Sequence, residues 1–313
     1  MRQRIKPKQI LLSKRANVFY LEHVRVMQKD ERIVYLSDEG GEVDRFFNLP
    51  ERNTIFLLLG KGSSITDAAA RRLAASNVLV GFTGNGGSPL LSAISPVFLT
   101  PLSEYRPTEY MQKWAHMWFD DSARLDVAKA FFMERLKWIQ ESWASSAYLK
   151  QKKILLATSS SEAFKRKLDS TPTTAELMAV EGEWARMLYG MLARGFALNN
   201  FRREEGKQSR STGEDMANSF IDHGNYIAYG YSASALNVLG ISFAFPVMHG
   251  KTRRGGLVFD VADLFKDALV LPLAFKAAFE GYKDQQFRDE LIETCQTQEV
   301  MDRIIEIIIK ATT

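Results

Sequence analysis

Cysteine is almost missing: Cys295 is the single one in 313 residues. An internal disulfide framework is therefore excluded, as is a thiolate-based zinc site, and a reducing, cytoplasmic compartment is expected. Long apolar runs are missing as well. The basic start MRQRIKPKQILLSKRANVFYLEHVRV never sustains the roughly 20-residue apolar stretch of a membrane span, nor the shorter core of a signal peptide. A soluble protein with no membrane partner is expected. Neither sign of charge dominates, because 41 Lys and Arg against 37 Asp and Glu give a formal +4. That bias suits a polyanionic partner without demanding one. Repeats and low-complexity tracts are absent too. What is present, 46% hydrophobic and 25% charged residues, supplies one large core or two ordinary domains and argues against disorder.

Between Asn17 and Pro89 the apolar residues come in short strand-like runs, NVFYLEHVRV, ERIVYLSD and TIFLLLGKG, divided by the turn clusters KD, EGGE and NLPERN. One helix interrupts them, since Thr66 can cap the alanine-rich DAAARRLAASN before VLVGFTG returns to strand. Ser92 to Pro107, with three prolines, reads as a linker. Beyond it Trp114, Met117, Trp118, Phe131, Phe132, Leu136 and Trp138 recur at helical spacing up to Ala147. Further helices are expected at Thr174–Ala197, Asp215–Leu239, Asp260–Glu280 and Gln286–Ile309, and RREEGKQSRST (Arg202–Thr212) as a mobile charged loop. The expected fold class is therefore α+β multidomain: an N-terminal β-rich domain, residues 1–103, followed by a larger all-α C-terminal domain, residues 104–313.

A few residues break these local patterns. In the helix over 174–197 the apolar stripe runs Leu177, Val180, Trp184, Leu188 and Met191, and Glu181 lies on that core-facing side. A buried carboxylate needs an Arg, a Lys or a metal ion opposite it. Glu183 points the other way, beside Arg186, as a solvated charge, while Gly182 leaves room for another backbone or a ligand. Of four histidines, His23 reads as a strand residue, and His116 and His223 as structural helix residues. His249 differs, because it follows the apolar ISFAFPVM and opens a loop; it either bonds a backbone carbonyl or binds a ligand. Asp260 and Asp263 come shortly after it and share one helix face, where Asp260 can serve as N-cap and Asp263 can favour the helix dipole. One imidazole nitrogen with two or three carboxylates and no thiolate is also a hard N/O donor set suited to Mg2+ or Mn2+. Lys251, Arg253 and Arg254 lie in the His249 loop among Gly250, Gly255 and Gly256, where they form either a solvated basic turn or a phosphate-binding cluster.

With Glu181-Gly182 in a long helix, DMANSFIDHGNYIAYGYSASALNVLGI, and HGKTRRGGLVFDVADLFKDALVLPLAF, the sequence resembles the Cas-one integrases of CRISPR systems over most of its length. The loop after His249 and the doubled glycine at 255 and 256 look most like the type I-F branch. The resemblance implies that Glu181, His249 and Asp263 are the catalytic metal ligands, with Asp260 an additional acid or a support behind them, and that Lys251, Arg253 and Arg254 bind DNA. It further implies an Mg2+- or Mn2+-dependent endonuclease and integrase that inserts short foreign DNA into the CRISPR array by transesterification and acts on double-stranded and branched DNA. The implied assembly is a homodimer, paired through the β domain, that joins a second CRISPR-associated adaptation protein, fused in type I-F to the helicase-nuclease. Two other classes stay open from the residues alone: a non-catalytic basic DNA-binding scaffold, and a metallo-hydrolase for small phosphoesters.

Overall fold

The structure is a computed structural model and describes residues 15, 17–37, 46–84, 97–99, 108–206, 210–250 and 255–312. It divides into two compact units, Met1–Phe82 with Phe98–Tyr105, and Thr83–Val97 with Arg106–Thr313.

The first unit carries two four-stranded sheets. Strands β1 (Asn17–Leu21), β5 (Thr54–Leu59), β7 (Leu79–Phe82) and β8 (Val97–Leu99) form one, in the order β1-β5-β7-β8, with β1, β5 and β7 parallel. β5 is TIFLLL, buried at every position, which suits a central strand covered on both faces. The second sheet has the order β4-β3-β2-β6, from β2 (Val24–Lys29), β3 (Arg32–Ser37), β4 (Phe46–Leu49) and β6 (Ser64–Ile65). Asp30 and Glu31, both at positive φ, make the tight turn of the β2–β3 hairpin. Helix α1 (Asp67–Ala75) starts where the sequence placed it, with the Thr66 hydroxyl accepting from the Ala69 N–H, and packs Ala69 and Leu73 onto Val26, Ile33, Leu57 and Val80.

Three strand expectations change. NVFYLEHVRV is two strands in different sheets, and His23 lies in the turn between them at φ 52° rather than in a strand. Phe46 and Phe47 extend the turn cluster before Pro50 into a fourth strand, exposed and therefore without the alternating burial that marks strands in sequence. The proline-rich linker contains β8, which joins the sheet beside β7; the rest of that linker lies outside the described residues.

The second unit is helical: α2 (Glu109–Phe119), α3 (Asp121–Ser145), α4 (Ala147–Gln151), α5 (Thr158–Ser170), α6 (Thr174–Gly195), α7 (Gly213–Val238), α8 (Gly256–Phe265), α9 (Leu271–Glu280), α10 (Asp284–Thr297) and α11 (Val300–Lys310). α7 is its axle, buried at nearly every position from Asp215 to Asn237 and packed against α8, α9, α10 and α11. Its polar residues are held from the loop before it. Arg203 pairs with Asp222 and donates to Asn218 Oδ1 at 3.1 Å, the Gly206 N–H donates to Asp222 at 2.8 Å, and Arg210 pairs with Asp284 of α10 at 2.6 Å. Arg202–Thr212, expected as a mobile loop, is thus held at its described ends, and residues 207–209 lie outside the described residues. Among the described residues no helix is long and apolar enough to cross a membrane.

The helix expected over 260–280 begins earlier, at Gly256, and is interrupted by a π-helical segment, Lys266–Val270. Pro272 explains the interruption, because it lacks the N–H that would close an α-turn onto the Ala268 carbonyl. That carbonyl accepts instead from Trp143 Nε1 of α3, at 3.3 Å. The helix expected over 286–309 is likewise two, α10 and α11, separated by Glu299 in the left-handed conformation.

α7 can lie this close to the π segment because Gly224 has no side chain: a Cβ there would come within 2.5 Å of Val270 Cγ1 and 3.2 Å of Phe287 Cζ. Val270 is β-branched and stiff, so Gly224→Ala is expected to destabilise the chain by about 1–3 kcal/mol through overpacking. A urea midpoint equal to that of the wild type would mean that the π segment yields freely.

Candidate metal centre

The centre is built from α3, α6, α8 and the loop between α7 and α8. α2 steadies that loop, for Trp114 Nε1 donates to the Phe245 carbonyl at 3.0 Å and Trp118 Nε1 to that of Pro246 at 2.7 Å. Asp260 then captures its last residues. Its Oδ2 accepts from the N–H groups of Val247 at 2.7 Å and Met248 at 3.3 Å, and its Oδ1 from the His249 N–H at 3.2 Å. The same Oδ1 lies 2.6 Å from His249 Nδ1. An ionised carboxylate only accepts, so Nδ1 carries the proton and Nε2 turns toward Asp263, 3.6 Å from its Oδ2.

Asp260 is therefore not an N-cap. Helix α8 starts at Gly256 behind Gly255, whose φ of 71° is the left-handed turn that glycine accommodates, and Asp260 sits inside the helix. Its backbone-capping capacity is spent on the neighbouring loop. Asp263, one turn on, takes Lys266 Nζ at 2.6 Å. Glu181 projects from α6 onto the core side, as the stripe implied, and meets Arg135 Nη1 of α3 at 2.7 Å. The buried ion pair left open by the sequence is thus present. Arg135 also pairs through Nε with Asp267 of the π segment at 2.5 Å. Glu183 is exposed and pairs with Lys167, and a side chain at 182 would touch nothing nearer than Arg186 at 3.4 Å, so no backbone of another segment comes close to Gly182 and the space beside it is open. His116 is exposed on α2, His223 is buried in α7, and Lys251, Arg253 and Arg254 lie outside the described residues.

Arg135, Lys266 and Asp267 were not singled out in the sequence, although each left a trace. Arg135 falls three residues after Phe132 and three before Trp138, a charge in an apolar stripe like Glu181, and Lys266 and Asp267 follow Asp263 by three and four residues on one helix face.

The electrostatics are those of a crowded acidic site. Four carboxyl groups (Glu181, Asp260, Asp263, Asp267) meet two permanent cations (Arg135, Lys266), so the formal sum of −4 and +2 is −2 with His249 neutral. Burial, reinforced by the charge of Asp263, raises Glu181 above its ordinary range despite Arg135. Burial also works against ionisation of Asp263, but Lys266, His249 and Arg135 outweigh it and hold that group at about 2. Environment thus pushes the two carboxylates apart, as at sites where such groups take different roles.

Among the described residues no group of three His, Cys, Asp or Glu side chains is placed so that it could hold a metal ion as it stands. The donor set nevertheless fits a divalent cation. The two surplus negative charges match its charge, His249 presents Nε2 with its tautomer fixed from behind, and hard N/O donors are those Mg2+ and Mn2+ accept. Arg135 and Lys266 occupy the carboxylates that such an ion would share.

Burial lowers the pKa of His249, but the Asp260 hydrogen bond and the charges of Asp263, Asp260 and Glu181 outweigh it and raise the group above 6.5. A histidine raised on folding adds stability that is complete below its unfolded pKa and lost as pH rises through the folded one. The metal-free chain is therefore expected to lose stability as pH rises past about 6.5. Denaturation of wild type and His249→Gln side by side checks this: a gap between them that does not shrink across that interval would show that His249 is not held protonated.

The family model for CRISPR associated protein Cas1 matches residues 19–308. The CRISPR-associated endonuclease Cas1 of Pseudomonas aeruginosa is 44% identical over 96% of this chain and 93% of its own length, and that of Pectobacterium atrosepticum 42% identical over 95% and 92%. In fold the chain is similar to a casposase bound to integration product, with a TM-score of 0.74 at 17% identity over 94% of this chain and 90% of that one. By the family match over nearly its whole length and by these identities, the chain belongs to the Cas1 family of CRISPR-associated proteins.

Proposed function

We propose that this chain is a metal-dependent DNA endonuclease and integrase of CRISPR adaptation, with Glu181, His249 and Asp263 as ligands of one Mg2+ or Mn2+ ion. The observation that carries this reading is the surplus of two negative charges around a histidine whose Nε2 is turned inward by Asp260. Membership of an endonuclease family and likeness in fold to a casposase caught on an integration product support DNA as the substrate.

A bound ion would polarise the phosphoryl oxygen and lower the pKa of the attacking hydroxyl. The chain's own residues do the rest. Asp260 keeps the proton on His249 Nδ1, so that Nε2 offers its lone pair, and fixes the loop that carries it. Lys266 keeps Asp263 ionised. Lys251, Arg253 and Arg254 hold phosphates of the strand. In the integration step a prespacer 3′ hydroxyl oxygen bonds to a repeat phosphorus as the bond to the repeat's own 3′ oxygen breaks, and the hydroxyl proton passes to that leaving oxygen or to solvent. Water in place of the hydroxyl gives cleavage.

The assembly proposed is a homodimer through the β domain, residues 1–103, joined by a second CRISPR-associated adaptation protein, in type I-F the one fused to the helicase-nuclease, in the cytoplasm. β4 supports the pairing, because it is an edge strand that leaves Phe46 and Phe47 exposed at 41% and 42%. The Arg135–Glu181 pair favours a second reading, a non-catalytic DNA-binding scaffold, which requires no metal.

An assay with labelled prespacer, repeat-containing plasmid and either Mn2+ or EDTA separates them. Glu181→Ala, His249→Ala and Asp263→Ala are each expected to abolish strand transfer and nicking in a folded chain. Full activity in EDTA would sink the metal reading, and wild-type activity in one variant would remove that residue from the site. Asp260→Asn is expected to be harmful too, by roughly 10–100-fold in metal affinity. One amide oxygen cannot replace two carboxylate oxygens that serve three N–H groups and an imidazole. Near-normal Mn2+ dependence in Asp260→Asn would show that the loop keeps its place without the charge.

A further inference from the structure

Arg135 lies between two carboxylates that are not equivalent. Glu181, 16% exposed, lies within electrostatic reach of His249 and Asp263, whereas Asp267 is 6% exposed and pairs with the guanidinium through Nε. Phe132, whose ring centroid is 5.3 Å from the guanidinium carbon, covers the cation as well, and Arg135 is 5% exposed overall.

We propose that Asp267 is a positioning residue for metal loading: by holding Arg135 it allows Glu181 to leave the ion pair and take the divalent cation. The inference rests on the reading of Glu181 as a metal ligand. A buried guanidinium stripped of every carboxylate is strongly disfavoured, so a cation that drew Glu181 away from a lone Arg135 would have to overcome that cost. Asp267 removes it, because Arg135 keeps one carboxylate in either state. Its charge also offsets the repulsion between the guanidinium and a divalent ion nearby. Position serves the role, since Asp267 follows Asp263 by four residues and so shares its helix face. The wide turn there is fixed from α3 by the bond from Trp143 Nε1 to the Ala268 carbonyl, about two turns of α3 beyond Arg135.

The test is calorimetric titration of the EDTA-stripped full chain with MnCl2, alongside the Mn2+ dependence of strand transfer. Asp267→Asn is expected to weaken Mn2+ binding about tenfold, the scale of outer-sphere changes at metal sites. The Mn2+ midpoint for strand transfer should rise by the same factor, with the loss in the midpoint and not in the plateau. Asp267→Glu should restore it. A merely structural residue would lower the melting temperature without moving the midpoint. The double variant Arg135→Gln/Asp267→Asn lacks both charges and should bind Mn2+ at least as tightly as the wild type. It decides the matter if the single variant does not fold, because a double variant with tenfold weaker binding overturns the proposal. Mn2+ affinity unchanged in Asp267→Asn, while Glu181→Ala loses it, overturns the role of Asp267 alone. No Mn2+ binding by the wild type overturns the metal reading and this inference together.

Discussion

Four carboxyl groups concentrated in one buried corner of a helical unit are what the local architecture must accommodate. Carboxylates out of water are tolerated only with N–H donors or cations around them. The four are met by three different solutions. Asp260 is satisfied by three backbone N–H groups and an imidazole, Asp263 by a lysine from its own helix, and Glu181 and Asp267 by one shared arginine. None of these partners is local to the chain segment of Glu181. The Arg135 ion pairs therefore tie α3, α6 and the π-helical segment after α8 together, and an acidic corner becomes a constraint on helix placement rather than a flaw in the core.

Around that corner the fold supplies stiffness. α7 is buried on all sides and takes its neighbours at close range, with Gly224 opposite Val270. Pro272 forbids an ordinary α-turn just after Lys266 and Asp267, and the freed Ala268 carbonyl is taken by Trp143 from the helix that also delivers Arg135. On the other flank Trp114 and Trp118 hold the carbonyls of Phe245 and Pro246, four and three residues before His249. The aromatic residues that read as a plain amphipathic stripe in the sequence thus have a second use: their indole N–H groups fix the irregular backbone on either side of the site.

The division into a strand-rich part and a helical part was legible because periods of two and of three to four residues differ over long stretches. Boundaries were less so. β8 is three residues long and hidden among prolines, β4 exposes its phenylalanines, and the break within 256–280 depends on a hydrogen bond from Trp143, more than a hundred residues away. At the site, Glu181 was visible as a charge in an apolar stripe, and His249 and Asp263 as polar residues flanking a glycine-rich loop. Arg135 obeys the same stripe rule as Glu181, but a long arginine with an apolar stem is routinely accommodated near cores by snorkelling, so its sequence context carries less weight. The part played by Asp260 is hidden in the sequence for a definite reason. Capping is a local pattern, whereas the N–H groups that Asp260 serves belong to a loop 11 to 13 residues earlier, brought back by the turn at Gly255.

An ion pair at a carboxylate is commonly set against metal binding as its alternative, yet under the proposed function the two would belong to one design. A site of four carboxylates with no internal cation would repel itself in the absence of metal, and one with four cations would leave nothing for a metal to neutralise. Two permanent cations leave a deficit of two charges, and His249, raised above its ordinary pKa, can supply part of it as a proton. The proton on His249 Nε2 and a divalent ion would then compete for the same lone pair. On the proposed reading metal affinity and proton affinity would be coupled through one imidazole, whose other nitrogen lies 2.6 Å from Asp260.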